Sequence, residues 1–142
     1  MFQTQVGRHV GLFDEGVAIH YGQAVAADKG WWDRPCDEWA RDAINDGRLP
    51  PLREIVTPEH FYDHPWSVVG GVFYPSGCSF VAHLVRAHGR EAMLAFMRAV
   101  SCETQDDPGT VISVFQRAFG VSLDGADAEW RAALRTSAFD NR

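Results

Sequence analysis

Apolar side chains recur at helical spacing through the second half of the chain, and this periodicity limits the fold more than any other feature. Between Thr110 and Phe119 the apolar residues Val111, Val114 and Phe115 lie three or four positions apart, on one helical face with Phe119. No stretch of the chain shows the clean apolar–polar alternation of a half-buried strand. The sequence therefore predicts a mainly α fold, a compact bundle of about five helices.

Glycines, prolines and capping residues mark where the predicted helices begin and end. Ser76 is placed to cap one helix, and Gly120 is placed to end another. In the last predicted helix, Trp130, Ala133 and Leu134 share the apolar face. The predicted helices run from about Leu12 to Ala27, Pro35 to Asn45, Gly77 to His88, Arg90 to Val100, Thr110 to Phe119 and Ala126 to Ala138.

Length and composition fit a single helical domain over residues 1–142. Hydrophobic residues make up 46% of the chain, enough for a sizeable core. The 13 basic and 19 acidic residues give a net charge of -6, opposite to that of proteins that neutralise phosphates, so we expect no nucleic-acid partner. No apolar run approaches the roughly 20 residues of a membrane span. Because Met1–Val10 lacks the pattern of a secretory signal, the default expectation is a cytoplasmic protein.

The three cysteines, Cys36, Cys78 and Cys102, are far apart in the sequence. Their number is odd and no C-x-x-C occurs, which disfavours both a disulfide framework and a thiolate zinc site. We interpret them as small hydrophobic residues of the core.

Glu15 lies in a segment of almost entirely apolar residues. On a helix its neighbours along the same face are Leu12, Ala18, Ile19 and Gly22. An ionised carboxylate on such a face is costly unless it meets a cation or a metal, or takes up a proton. The residue types alone leave open a structural ion pair, a capping role, and a metal-binding or catalytic role.

Three segments resemble motifs of one enzyme family. Residues 12–21, LFDEGVAIHY, are similar to the W-L-x-E-G-x-A-x-Y motif of gluzincin-type zinc metallopeptidases, the peptidase MA-like group. Residues 74–89, YPSGCSFVAHLVRAHG, resemble the family's Y-x-x-S-x-S-F-V-x-Y-L-x-x-x-Y-G, and residues 115–130 resemble its closing F-x-x-A-F-G-x-S-L…W. The resemblance covers most of residues 10–134 and implies the C-terminal, helical half of a gluzincin catalytic domain.

The resemblance also implies a role for Glu15. In that family two histidines of an H-E-x-x-H helix bind zinc, and the glutamate between them is the general base. The glutamate of E-G-x-A completes the protein ligands, and zinc keeps an open position where it activates water. By resemblance, Glu15 is this third zinc ligand and the substrate is a polypeptide.

The zinc-binding helix itself is missing from the sequence. The chain contains no His-Glu dipeptide, and only fourteen residues precede Glu15, so two zinc ligands and the general base are absent. His20, which stands where the family has tyrosine, is a substitute ligand to consider together with His9, and His60 and His64 have i, i+4 spacing. We therefore expect a metallopeptidase-derived domain that is inactive as this chain and binds zinc only if the missing ligands are supplied.

Tyr74 and the acidic residue pairs are also considered as functional groups. Tyr74 is a candidate hydrogen-bond donor to an oxyanion, or else an aromatic anchor beside a helix start. The pairs Asp37-Glu38 and Asp106-Asp107 are interpreted as solvated faces or loop charges.

A non-enzymatic role is the alternative. A domain without the zinc-binding helix would expose apolar surface on the helix of residues 11–27, and such a patch is typical of a contact with a protein partner or a second copy. On this alternative the chain is a helical module that binds a protein partner or forms a homo-oligomer.

Overall fold

The computed structural model describes Leu12, Phe13 and residues 35–56, 73–102 and 107–135. Throughout these ranges the regular structure is helical and no strand occurs, which confirms the mainly α prediction. None of the helices in them is long and apolar enough to cross a membrane. The elements are α1 (Cys36–Asn45), a 3₁₀ helix (Leu52–Glu54), α2 (Phe73–His88), α3 (Arg90–Cys102), α4 (Pro108–Phe119) and α5 (Leu123–Arg135).

Helix α4 shows how local sequence sets both ends of an element. Asp107 caps its start, because the Asp107 carboxylate accepts hydrogen bonds from the Thr110 backbone N–H at 3.0 Å and the Thr110 hydroxyl at 2.6 Å. These hydrogen bonds hold the pKa of Asp107 below its usual value. Gly120 ends the helix in the left-handed region, with φ 75°, as the sequence predicts.

Helix α2 begins earlier than its predicted cap. It starts at Phe73, so Ser76 lies within the helix and is fully buried instead of capping it. Pro75 is compatible with this start, because amides of the first helical turn have no intrahelical acceptor. The predicted start at Gly77 is therefore wrong.

Helix α5 also begins before its predicted start at Ala126. Its first residue is Leu123, and the Ser122 hydroxyl accepts a hydrogen bond from the Gly125 N–H at 3.0 Å, which caps the first turn. With this start the buried face contains Trp130 and Leu134 as predicted, but Ala133 is exposed. The other buried residues of the helix are Leu123, Ala126 and Asp127.

An aromatic cluster occupies the centre of the core, formed by Phe13, Phe80, Phe96, Phe115 and Phe119. The Phe13 ring is fully buried and lies 4.8 Å from that of Phe96 and 5.9 Å from that of Phe115, measured between centroids. The rings of Phe115 and Phe119 are 4.6 Å apart. The cluster thus joins the residue 12–13 segment to α2, α3 and α4 in one hydrophobic core.

A buried carboxylate joins α5 to the segment around the 3₁₀ helix. Asp127, which is 6% exposed, accepts hydrogen bonds from the Leu52 N–H at 3.0 Å and from Arg131 Nε at 2.6 Å. Arg131 also donates to the Pro50 carbonyl at 2.9 Å. These hydrogen bonds satisfy backbone groups of a segment that forms no long helix of its own.

Candidate functional site

The sequence-predicted site residues fall largely outside the described residues. Glu15 and His20, the predicted metal ligands, lie there, as do His9, His60 and His64. Tyr74 belongs to the first turn of α2, so the backbone at this position is helical and does not precede the helix as expected. Its roles as oxyanion donor or aromatic anchor stay predictions.

The residues that the structure describes do not make a metal site among themselves. Within these ranges no group of three or more histidine, cysteine, aspartate or glutamate side chains is arranged to hold a metal ion.

A polar junction connects α1, α2 and α5 around Ser79. The Ser79 hydroxyl is 1% exposed, donates to Asp37 Oδ1 at 2.6 Å and accepts from Trp130 Nε1 at 2.9 Å. Asp37 is half-buried, and one of its carboxylate oxygens is bonded within the protein, so it has a structural contact that a solvated face alone does not describe. Because both bonds of the hydroxyl are made inside the protein, Ser79 positions the three helices and is not poised as a nucleophile.

A small pocket opens beside this junction. It has a volume of about 190 Å³ and lies between Pro35–Asp37 at the start of α1 and Cys78, Ser79, Ala82 and Arg86 of α2. Cys36 is 5% exposed and Cys78 is 1% exposed, and both are in the thiol form. The prediction that the cysteines are small buried residues is confirmed for these two.

Within the pocket wall the two thiols interact. Hydrogen bonding with the Cys36 thiol, burial and the nearby Asp37 charge raise the pKa of Cys78 far above its usual value. Because Cys36 and Cys78 are far apart in the sequence, their spacing does not predict that they meet. The sequence shows only that each cysteine lies in a predicted helix.

His83 lies one helical turn after Ser79 on α2. Its ring stacks on Phe80 with centroids 6.5 Å apart, and its Nε2 lies 3.9 Å from Glu129 Oε1. Burial, and then the positive charge of Arg86, lower the pKa of His83, while Glu129 opposes the shift. In the folded chain His83 is thus held neutral to a lower pH than an exposed histidine.

We expect this histidine to make the folded chain less stable in acid. The unfolded chain takes up a proton at His83 as the pH falls through about 6.5, before the folded chain does, so the free energy of unfolding decreases below that pH. Urea unfolding between pH 7.5 and 5 should show a smaller decrease for His83→Gln than for the unchanged chain. His88→Gln is the matched histidine substitution, and equal slopes in the His83→Gln and unchanged chains would contradict the prediction.

The alternative role as a binding module depends on apolar surface of residues 11–27. Of that segment the structure describes Leu12 and Phe13, and both are fully buried in the core. These two side chains therefore contribute no exposed apolar surface, and the rest of the segment lies outside the described residues.

Comparison of the chain with family models, with curated proteins and with solved structures found no match. Any assignment of function therefore depends on the motif residues and on their packing.

Proposed function

We propose that the chain is the helical part of a gluzincin-type zinc metallopeptidase, the part that supplies the third protein ligand of the zinc ion. Glu15 is that ligand. Polypeptide hydrolysis then requires an H-E-x-x-H helix, which brings two histidine ligands and the general base. The 142-residue chain contains no such helix and is inactive alone.

One observation carries the proposal: the three motif segments meet in the aromatic cluster. Phe13 comes from the E-G-x-A segment, Phe80 from the S-F-V segment and Phe115 from the closing F-x-x-A-F-G segment. The Phe13 ring lies 6.1 Å from that of Phe80 and 5.9 Å from that of Phe115, and the Phe80 and Phe115 rings are 6.3 Å apart. A shared gluzincin architecture would bring these three segments together in this way.

A polar contact between two of the segments adds support. Trp130, the tryptophan that ends the closing motif, donates its indole N–H to Ser79 of the S-F-V segment at 2.9 Å. Its ring also meets Phe80 edge-on, with centroids 5.4 Å apart. The serine and the tryptophan of the two motifs thus stabilise each other through this hydrogen bond. A shared architecture would keep both residues for that reason.

The packing gives a physical reason for the position of Glu15 in the sequence. A metal ligand must hold its geometry within a few tenths of an ångström, so it needs a rigid support. Phe13 precedes Glu15 by two residues and is fully buried among three other phenylalanine rings. The proposed ligand therefore follows directly after a firmly packed anchor.

A fusion protein tests the proposal. An H-E-x-x-H helix with its connecting loop, taken from a gluzincin-type peptidase, is placed before Met1, and zinc is measured after dialysis together with hydrolysis of casein. We expect about one zinc per fused chain and zinc-dependent hydrolysis. Glu15→Gln in the fusion should reduce both to background, because an amide is a poor zinc ligand.

Two controls make the result specific. Glu91→Gln changes an exposed glutamate in the first turn of α3 and should leave zinc content and hydrolysis unchanged. Equal zinc content in the Glu15→Gln and unchanged fusions would show that Glu15 is not a ligand. Hydrolysis by the 142-residue chain alone, above a zinc-free control, would contradict its predicted inactivity.

A further inference from the structure

The two thiols in the pocket wall, Cys36 and Cys78, are brought together by a contact between the residues that follow them. Each cysteine is followed by a residue of the polar junction, and those two residues bond to each other, Ser79 donating to Asp37 at 2.6 Å. The register of α1 against α2 is thus set one residue away from both thiols. The two side chains also line the same pocket.

This arrangement favours a covalent bond between the thiols. A disulfide needs its two cysteines on neighbouring backbone segments that face each other, and here α1 and α2 are joined by the Ser79–Asp37 hydrogen bond one residue after each thiol. Both side chains line the pocket of about 190 Å³, which is large enough to admit a small oxidant. Burial to 5% and 1% exposure keeps larger thiol reagents away from the pair.

We propose that Cys36 and Cys78 are a redox-active dithiol that a small hydroperoxide converts to an intramolecular disulfide. Cys36 sulfur attacks one peroxide oxygen; a sulfur–oxygen bond forms, the oxygen–oxygen bond breaks, and the alcohol, or water from hydrogen peroxide, leaves with the thiol proton. Cys78 sulfur then attacks the sulfur of the Cys36 sulfenic acid; a sulfur–sulfur bond forms, the sulfur–oxygen bond breaks, and the hydroxyl group leaves as water with the Cys78 thiol proton. The two thiols lose two electrons to the peroxide, and an external dithiol reverses the change.

The order of the two sulfurs follows from their surroundings. The neighbouring Cys36 thiol and burial raise the pKa of Cys78, which makes Cys78 the less reactive thiol towards the peroxide. It is also the more deeply buried sulfur, at 1% exposure against 5% for Cys36. Cys36 is therefore the attacking residue and Cys78 the resolving residue.

The bond would tie α1 to α2 and enclose residues 37–77 in a covalent loop. Closing a loop of this size restricts the unfolded chain, and we expect the midpoint of thermal unfolding to rise by about 5–15 °C on oxidation. Dithiothreitol should return the midpoint to its original value.

The test treats the reduced 142-residue chain with a slight excess of hydrogen peroxide. We expect the mass to fall by two hydrogens, with one of the three thiols still titratable. Non-reducing peptide mapping should recover the Cys36 peptide linked to the Cys78 peptide. This measurement uses the unchanged chain, so it does not depend on a variant that folds.

Three variants separate this pair from the third cysteine. Cys36→Ala and Cys78→Ala should each abolish the linked peptide and the rise in unfolding temperature, whereas the matched control Cys102→Ala should retain both. A linked peptide that contains Cys102, a disulfide between two chains, or three unreacted thiols would overturn the proposal. So would sulfinic acid at Cys36 beside an unreacted Cys78.

Discussion

Replacing Phe13 with alanine is expected to lower the free energy of unfolding by about 3–5 kcal/mol, the range for truncating a buried phenylalanine. Phe13 is fully buried and its ring contacts those of Phe80, Phe96 and Phe115. The substitution leaves a cavity where three helices and the residue 12–13 segment meet, and rigid rings fill such a cavity poorly.

The measurement is urea unfolding followed by far-ultraviolet circular dichroism, with Phe13→Leu as a conservative comparison. Leucine keeps the site apolar and fills part of it, so we expect a loss of only about 1–2 kcal/mol. A loss below about 1 kcal/mol for Phe13→Ala would mean that this segment does not complete the core. In the zinc-binding fusion, Phe13→Ala should also weaken zinc retention, because Glu15 would lose its nearby anchor.

Replacing Trp130 with alanine is expected to cost about 3–5 kcal/mol as well. The Trp130 side chain is 1% exposed, packs edge-on against Phe80 and donates its indole N–H to Ser79. Truncation therefore removes a large apolar surface and one member of the polar junction at once. Thermal unfolding of the unchanged chain and of Trp130→Ala, followed by circular dichroism, measures the difference in stability.

Trp130→Phe separates the two contributions. Phenylalanine keeps an aromatic ring beside Phe80 but has no indole N–H, so the loss should fall to about 1–2 kcal/mol. Ser79→Ala removes the acceptor and leaves both the indole N–H and Asp37 without their shared hydroxyl, at a cost of about 1–3 kcal/mol. If Trp130→Phe and Ser79→Ala were strictly additive when combined, the hydrogen bond between them would carry no coupling energy.

The helical faces were accessible to prediction because they depend on local spacing. Val111, Val114, Phe115 and Phe119 are all buried as their periodicity indicates. Helix α5 shows the limit of this method, because Ala133 is exposed although its spacing assigns it to the buried face. The alanine side chain is so small that its hydrophobicity does not indicate whether it is buried. The start of α2 shows another limit, because Ser76 has a capping side chain but lies buried inside a longer helix.

The polar junction was not predictable in the same way. The hydrogen bond from Ser79 to Asp37 spans 42 positions, and that from Trp130 to Ser79 spans 51. Helical periodicity predicts which face of a helix is buried, but it does not predict which other helix packs against that face. Asp37 beside Glu38 therefore resembled a solvated pair, although the fold uses the first carboxylate to align two helices.

The sequence by itself determined the helical class of this protein, the glycine that ends α4 and the motif pattern that points to Glu15, because each depends on residues close together in the chain. Only the tertiary structure decided that the three motif segments share one aromatic cluster and that Cys36 and Cys78 line one pocket. The physical reason is that distant residues meet when their side chains fit together and are buried together. The spacing of neighbouring residues in the sequence does not specify which side chains meet in this way.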